Sequence, residues 1–163
     1  MWKLQVLALL AVGLSGGCAT TQHAVARSSA PAVRTPAPAP ELLALVEKFR
    51  QGIMARDANG LAALFINGDV PFVASRWKPE GAKAFPSNAA GFIKDITTDA
   101  HQLEERFSDV QAMTYDNGVG LVNARYEFVE DGKVTNHGQE VWSVVHTADG
   151  WKIVSVIWSV IIP

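Results

Sequence analysis

The residues that could carry chemistry are polar side chains in the last third of the chain, around Glu140. A glutamate among apolar residues can act as a general base when burial raises its pKa, whereas a nearby arginine lowers that pKa. Convergent polar groups in an apolar concavity are typical of a small-molecule site. The predicted pocket consists of Asn123, Arg125, Glu140, Trp142 and Ser159. The alternatives are a structural Arg-Glu pair at the pocket mouth, or solvated polar residues at strand ends.

This pocket depends on two hairpin turns, at Asp131-Gly132 and Asp149-Gly150. Such dipeptides accept the positive φ angles of type I′ turns, whose twist matches that of the flanking strands. If each forms a two-residue turn, Asn123 lies opposite Glu140, and Ser159 lies on the far side of Glu140. Arg125 then lies diagonally from Glu140, within reach of a long side chain.

The same count predicts an apolar outer face on the other side of the sheet, because side chains alternate between faces. That predicted face consists of Val122, Tyr126, Val141, Val154, Val156 and Trp158. A large exposed apolar patch usually marks an interface, so we expect a homodimer through Val154, Val156 and Trp158. The alternative is that an N-terminal segment covers this face. A slip of one residue in either turn would exchange the faces.

Two further side chains are candidates for the site. His101 follows a predicted helix and is a second candidate base, although a lone histidine is more often a surface residue. Trp77 lies in a predicted loop, where it either lines the pocket or covers the core. His137 and His146 fall on opposite faces and do not converge. Because no two histidines have the spacing of metal ligands, neither a metal nor another cofactor is predicted.

The N-terminus predicts export. Lys3, an apolar run and small residues precede Cys18, and this arrangement resembles a bacterial lipoprotein signal. We therefore expect a signal peptide over residues 1–18, lipidation of Cys18 and a periplasmic, lipid-anchored domain. The alternatives are ordinary secretion of a soluble protein, and a buried N-terminal helix. Residues 19–40 are rich in Ala and Pro and predict an extended tether.

Composition fits one folded domain over residues 41–163. The chain has 163 residues, of which 48% are hydrophobic, and a formal net charge of −2. This small and dispersed charge argues against a nucleic-acid partner. A single cysteine excludes an internal disulfide.

The order of predicted elements favours an α+β fold. A helix beginning at Glu41, a second helix capped by Asp57 and a short strand over 70–74 come first. A loop over 76–86, a helix over 88–98 capped by Ser87 and a strand over 103–115 follow. The antiparallel meander then ends the chain. Helices gathered before the strands predict helices on one face of a curved sheet.

The stretches FRQGIMARDANGLAALFINGDVPFV and EVWSVVHTADGWKIVSVIWSVIIP resemble the nuclear transport factor 2 (NTF2)-like superfamily, with its SnoaL-like cyclases and ketosteroid isomerase-like proteins. The resemblance covers about residues 42–163. It implies a cone-shaped sheet wrapped around helices, with a pocket at the open end and dimers through the outer sheet face. Relatives often carry histidines on the last strand, where this chain has Ser155, Val156 and Ile157. This departure weakens the case for an enzyme.

Three functions are consistent with these features. The first is an envelope domain that binds a small hydrophobic ligand. The second is an isomerase, dehydratase or cyclase that transfers a proton on a hydrophobic substrate, with Glu140 or His101 as the base. The third is an interaction module that binds a partner protein through its outer face.

Overall fold

The computed structural model describes residues 37–116 and 118–163. The predicted signal peptide, Cys18 and most of the predicted tether lie outside the described residues. Ala37 and Pro38, at the end of the predicted tether, form a short strand, and the first helix begins at Pro40. No helix in the described part of the chain is long and apolar enough to cross a membrane.

The first two helices form where the sequence predicts them. Helix α1 (Pro40–Ala55) has proline in its first turn, where no N–H is needed for an intrahelical hydrogen bond. Its buried side includes Leu42, Phe49 and Ile53, which recur at helical spacing. The side chain of Asp57 caps α2 (Ala58–Ala62) by accepting a hydrogen bond from the backbone N–H of Gly60 at 2.9 Å.

The third helix, α3 (Ala89–Thr98), is capped by Asn88 and not by the predicted Ser87. The Asn88 side-chain oxygen accepts from the N–H of Gly91 at 2.8 Å. Ala89 and Ile96 are buried, and Phe92 packs against the core. This helix therefore presents an apolar side to the sheet.

A curved, mixed sheet of seven strands accompanies the helices, in the order β1-β4-β5-β6-β7-β2-β3. Among the pairs of strands in the described part of the chain, only β2–β7 is parallel. The predicted α+β class is confirmed. Part of the predicted loop before α3 instead forms β3, which pairs with β2. The strands are β1 (Ala37–Pro38), β2 (Pro71–Arg76), β3 (Lys83–Asn88), β4 (Leu103–Tyr115), β5 (Val119–Glu130), β6 (Lys133–Thr147) and β7 (Gly150–Ser159).

The predicted register between β5 and β6 is correct only beside the turn. Asp131 and Gly132 have positive φ angles of 48° and 79°, and Val129 pairs with Val134 as expected. Thr135 is then an extra residue in β6, a β-bulge that shifts all later pairs by one position. Ala124, not Asn123, therefore lies opposite Glu140.

A second bulge changes the pairing of β6 with β7. Thr147 pairs with Gly150, so the chain turns through Ala148 and Asp149, not through the predicted Asp149-Gly150. Val154 is the extra residue in β7. Beyond this bulge Trp142 pairs with Val156, and Glu140 pairs with Trp158, where Ile157 and Ser159 were predicted.

The two bulges make most of the predicted outer face wrong. Val122, Tyr126 and Val156 are at most 3% exposed and face the helices. Trp158 packs against the core, with its ring centroid 6.0 Å from that of Phe72. These side chains are thus part of the inner, concave face.

The true outer face carries the residues that alternate with these. Ile157 on β7, which pairs with Val73 on β2, belongs to this face and is 52% exposed. Half-buried apolar neighbours on adjacent strands continue the surface across the sheet. We define the outer face by Val73, Met113, Leu121, Val141, Val145 and Ile157.

Aromatic rings fill the space between the inner face and the helices. Phe49 on α1 is 1% exposed, and its ring centroid lies 4.9 Å from that of Trp142 on β6. Phe92 on α3 stacks on Phe49 at 5.5 Å and on Phe72 at 5.0 Å. Phe49, Phe72 and Phe92 together form one wall of a cavity between the sheet and the helices.

Candidate functional site

A cavity of about 260 Å³ lies between the inner face of the sheet, α1 and α3, and we call it the central cavity. Its walls are largely aromatic, and the exposed Asp95 at its edge shows that it reaches the surface beside α3. The aromatic lining residues are Phe49, Phe72, Phe92, Tyr126, Phe128 and Trp158. The polar lining residues are Asp95, Asp99, Glu105, Asn136 and Glu140.

Two carboxyl groups are the distinctive feature of this cavity. Glu105 on β4 and Glu140 on β6 are each only 5% exposed. They are the only buried polar or charged residues in the described ranges. The side chains form a hydrogen bond in which Glu105 donates and Glu140 accepts. We call these two residues the carboxyl pair.

Strand register places both members of the carboxyl pair on the inner face of the sheet. Glu105 lies opposite Phe128 on β5, and Glu140 lies opposite Ala124 on the same strand. Both are therefore inward positions, and the small Ala124 leaves room beside the Glu140 side chain. Their partners Phe128 and Ala124 lie four residues apart on β5, so the two long side chains converge over the concave face of the curved sheet.

Burial determines the electrostatics of the carboxyl pair. Removal from water raises the pKa of Glu105 well above its usual range, and the neighbouring charge of Glu140 raises it further. Burial also raises the pKa of Glu140, to about 7, although hydrogen bonds from Trp142 and Glu105 oppose this increase. The pair therefore retains a proton near neutral pH, which the two carboxyl groups share.

Trp142 holds the inner end of the pair. Its indole Nε1–H donates to Glu140 Oε1 at 2.5 Å, and the tryptophan is itself 1% exposed. A charge-assisted hydrogen bond of this kind favours the ionised form of the acceptor. Trp142 therefore positions Glu140 but is not itself part of the cavity lining.

Tyr126 provides a second polar group in the cavity, and its hydroxyl is already engaged. The hydroxyl donates to Asn136 Oδ1 at 2.8 Å and lies 2.9 Å from the backbone carbonyl oxygen of Ser159. Burial raises the pKa of Tyr126, so this phenol stays protonated. Gly138 permits the arrangement, since a Cβ there would lie 2.1 Å from the same Ser159 oxygen.

The structure separates the predicted pocket residues. Asn123 and Arg125 lie on the outer side of β5, away from Glu140, because the bulge at Thr135 shifts the register. Asn123 accepts a hydrogen bond from Gln139, and Arg125 lies 3.8 Å from Asp109 in an exposed ion pair. Neither residue lines the central cavity, where Glu140 lies.

Two other predicted pocket residues also miss the cavity. Ser159 contributes its backbone carbonyl to Tyr126, while its hydroxyl accepts from the N–H of Gln139 at 2.9 Å. Trp77 is 74% exposed in the segment after β2 and does not line the cavity. Of the predicted set, Glu140 alone lines it.

His101 lies at the surface, outside the cavity lining. Its Nδ1 lies 2.7 Å from Asp131 Oδ2, and both side chains are more than half exposed. The hydrogen bond and the charge of Asp131 raise the pKa of His101. His137 and His146 lie on opposite faces of β6, as predicted. Residues 37–116 and 118–163 contain no group of three or more His, Cys, Asp or Glu side chains placed to hold a metal ion.

Sequence reasoning missed Glu105, Tyr126 and Asn136 as site residues. A signal for Glu105 was available, because it stands between Leu103 and Phe107 at an inward position of an alternating strand. A carboxyl group flanked in this way by inward-facing apolar residues is expected to be buried. A buried carboxyl group must be paired or neutral. The predicted register places Tyr126 on the outer face, and only the register shift at the bulge brings it into the cavity.

No protein-family profile matches the chain, and no curated protein matches it. Solved structures do resemble it. An NTF2-like protein from Cytophaga hutchinsonii matches with a TM-score of 0.60 and 15% identity, covering 75% of this chain and 97% of that chain. An NTF2-like superfamily protein from Salmonella enterica gives 0.58 and 15%, covering 74% and 89%.

A third solved structure is a candidate dehydratase of the NTF2-like family from Streptomyces avermitilis. It matches with a TM-score of 0.55 and 14% identity, covering 76% of this chain and 96% of that chain. At such low identities these likenesses establish the fold alone. The chain has the NTF2-like fold, as the sequence resemblance implied.

Proposed function

We propose that this NTF2-like domain binds a small, largely apolar molecule in the central cavity, with the carboxyl pair contacting the polar group of that molecule. The observation that carries the proposal is the position of the pair. Glu105 and Glu140 are buried, yet both line an aromatic cavity instead of forming ion pairs with basic side chains. Buried polar groups in an apolar cavity can fix the orientation of a ligand.

The size of the cavity limits the ligand. At about 260 Å³ it is slightly smaller than the range of about 300–1,000 Å³ that is usual for small-molecule sites. A dry apolar cavity of roughly 150 Å³ can hold benzene. We therefore expect a substituted single ring or a short branched chain, and not a fused steroid-sized skeleton.

Native mass spectrometry of the intact chain tests this proposal. We expect a discrete added mass from a co-purified molecule, or after incubation with phenylpropanol. Val156→Phe should abolish the adduct, because this side chain lines the cavity. Ile157→Phe is the matched control on the outer face and should retain it. An adduct that persists in Val156→Phe, or no adduct with any added compound, would contradict cavity binding.

The second candidate function is proton transfer on a hydrophobic substrate. One observation favours it: the carboxyl pair shares a proton, and the pKa of Glu140 is raised to about 7 by burial. A general base works best when its pKa lies near the working pH. Glu140 would accept a proton from the substrate, and Glu105 would donate one. The name of the dehydratase candidate with the same fold supports testing this class of chemistry.

Glu140→Gln separates this enzyme hypothesis from binding alone. The amide retains the shape and can still accept from Trp142, so we expect the variant to fold. Turnover in a screen of isomerase and dehydratase substrates should fall at least about 100-fold, the usual contribution of a general base. Unchanged turnover would remove Glu140 from the mechanism.

We also propose that two copies associate through the outer face, although not through all the residues predicted. Val156 and Trp158 face inward, so the interface would centre on Ile157, which is 52% exposed, and on its neighbour Val141. Ile157→Glu should convert a dimer to a monomer in analytical ultracentrifugation. Arg125→Glu, a charge change on a polar part of the sheet, is the control. A wild-type monomer at micromolar concentration would contradict the interface.

Export and lipid anchoring remain our proposal for residues 1–18, on the strength of the sequence pattern before Cys18. Metabolic labelling with radioactive palmitate in a bacterial host tests it. The intact chain should take up label in the envelope fraction, and Cys18→Ser should not. Label-free protein in the medium would support simple secretion instead.

A further inference from the structure

The charge of the central cavity has one sign. Four of its lining residues are acidic, namely Asp95, Asp99, Glu105 and Glu140. Among the described residues, no lysine, arginine or histidine lines it. The guanidinium of Arg56 approaches the rim but donates to the backbone carbonyls of Asp99 and His101. An anionic ligand would therefore meet repulsion without a compensating cation.

The hydrogen-bonding capacity that remains for a ligand is mainly acceptor capacity. The buried donors are already engaged: Tyr126 donates to Asn136, and Trp142 donates to Glu140. The proton of Glu105 is directed at Glu140 as well. Each carboxyl group has about four acceptor positions, so oxygen lone pairs remain free on both members of the pair. A ligand group that donates hydrogen bonds could therefore bind to these free carboxyl oxygens.

The walls suit a positive charge. Six aromatic side chains line the cavity, and the faces of aromatic rings attract cations within about 6 Å. The carboxyl pair lies among these rings and is nine-tenths or more buried. In the described part of the chain, the only side-chain partner of Glu105 is Glu140. The cavity thus offers a buried carboxyl pair and no counter-charge of its own.

We propose that the ligand of the central cavity is a protonated lipophilic amine, whose ammonium group binds the carboxyl pair while its apolar part packs against the aromatic walls. This inference rests on the proposed binding function and specifies its ligand class. The ammonium group donates to oxygens of Glu140 and Glu105 and neutralises the charge that burial disfavours. Binding of the cation displaces the shared proton, or part of it, to solvent.

Isothermal titration calorimetry with three matched probes tests the proposal on the intact chain. Phenylpropylamine, phenylpropanol and phenylpropanoate share one skeleton and carry a positive, a neutral and a negative group. We expect the amine to bind about tenfold or more tightly than the alcohol, as a charge-assisted hydrogen bond allows. The carboxylate should show no binding.

Variants test which residues cause the preference for the amine. Glu140→Gln should remove the advantage of the amine over the alcohol, because the amide that replaces the carboxyl group carries no charge. Glu104→Gln is the matched control, because Glu104 precedes Glu105, faces away from the cavity and pairs with Arg106 at 2.8 Å. It should retain the preference. Val156→Phe should weaken both probes, since it occupies the cavity.

The pH dependence of the affinity for the amine is a further test, because a purely structural role of the carboxyl pair would not alter it. The groups that face the pair are Tyr126 from β5 and, at the rim, Asp95 and Asp99 at the end of α3. Between pH 6 and pH 8 amine affinity should rise as the pair loses its proton, with protons released on binding. Affinity for the alcohol should not rise.

The possible outcomes separate the amine proposal from the proposal that the cavity binds a ligand. If the alcohol binds as tightly as the amine, the amine proposal is overturned and cavity binding stands. If the carboxylate binds best, the charge argument is overturned in the same way. If no probe binds and the mass spectrum shows no adduct, both proposals fail. Amine binding that survives Val156→Phe would indicate surface binding and would also overturn the inference.

Discussion

Two pairs of titratable side chains, one buried and one exposed, form close contacts in this domain. Glu105 and Glu140 meet in the central cavity, each 5% exposed, whereas His101 and Asp131 meet at the surface with side chains 55% and 60% exposed. The buried pair joins groups of the same sign, and the exposed pair joins groups of opposite sign. The comparison shows how burial decides what a short contact does.

At the surface, each member of the pair favours the charged form of the other. The hydrogen bond to Asp131 raises the pKa of His101, and the hydrogen bonds from His101 and from the N–H of Gln102 lower the pKa of Asp131. Water and salt screen this attraction, so such contacts contribute little to stability. The pair connects the β5–β6 turn with the segment before β4, and its role is local.

In the cavity, desolvation dominates. It raises the pKa of both glutamates, and their mutual repulsion opposes the loss of the second proton. A group whose pKa is raised on folding is most favourable when protonated. The carboxyl pair therefore places a pH-dependent cost on the folded state, which a ligand cation could relieve.

The largest expected effect comes from removing the support of the buried pair. Trp142→Ala should lower the free energy of unfolding by about 3–5 kcal/mol, because it leaves a cavity in the core and deprives Glu140 of a hydrogen bond. Urea denaturation followed by circular dichroism measures it. Trp77→Ala, at a tryptophan that is 74% exposed, should stay within about 0.5 kcal/mol. Equal losses for both tryptophans would contradict the burial assigned here.

The second effect is a decline of stability with rising pH. The pKa of Glu140 is raised from 4.5 to about 7 on folding, so its favourable contribution is complete below the unfolded value and is lost as pH rises through about 7. The free energy of unfolding should fall by about 1.4 kcal/mol per pH unit for each proton involved, between about pH 5 and pH 7. Chemical denaturation across this range measures the slope.

Glu140→Gln is the control for that slope, since the amide does not titrate. The variant should show a flatter profile and should be more stable than the wild type at pH 8. A wild-type profile that rises between pH 5 and pH 7 would contradict the shared proton of the carboxyl pair.

The smallest effect concerns the exposed pair. Asp131→Asn should lower the pKa of His101 toward its ordinary value, because the hydrogen bond to a carboxylate and its charge raise it in the wild type. Proton NMR titration of the imidazole measures this shift, and it should be smaller at high salt. Thermal stability should hardly change. Asp149→Asn, in the β6–β7 turn, is the matched control and should leave the titration of His101 unaltered.

The sequence was sufficient to predict the three helices and most of the strands in their order, although not β1 or β3. The helical spacing from Leu42 to Ile53, the cap at Asp57 and the bounds of β4 all agree with the structure. These features depend on local chemistry, in which periodicity and capping residues act over one or two turns of chain. The resemblance to the NTF2-like superfamily, which rests on the type and order of these elements, also predicted the correct fold.

The site was only partly predictable because it depends on register over a distance. Thr135 and Val154 are bulged residues, and neither is a glycine or another residue that would mark an irregularity in advance. Each adds one residue to one strand. Side chains between a turn and its bulge therefore lie on the predicted face, and those beyond the bulge lie on the opposite face. Glu140 was identified as a candidate, but its true partner was not, because Glu105 comes from the far side of β5.

The bulge at Thr135 also bears on how this gene can vary. From Asn136 onward, the side of β6 that a residue occupies depends on the presence of one extra amino acid in the strand. Loss of a single codon there would force either the later part of β6, with Glu140 and Trp142, to exchange its two faces, or the residues beside the β5–β6 turn to give up their pairing. A point substitution in this strand therefore changes one side chain, whereas a one-codon deletion sets one part of the strand against the register of the other.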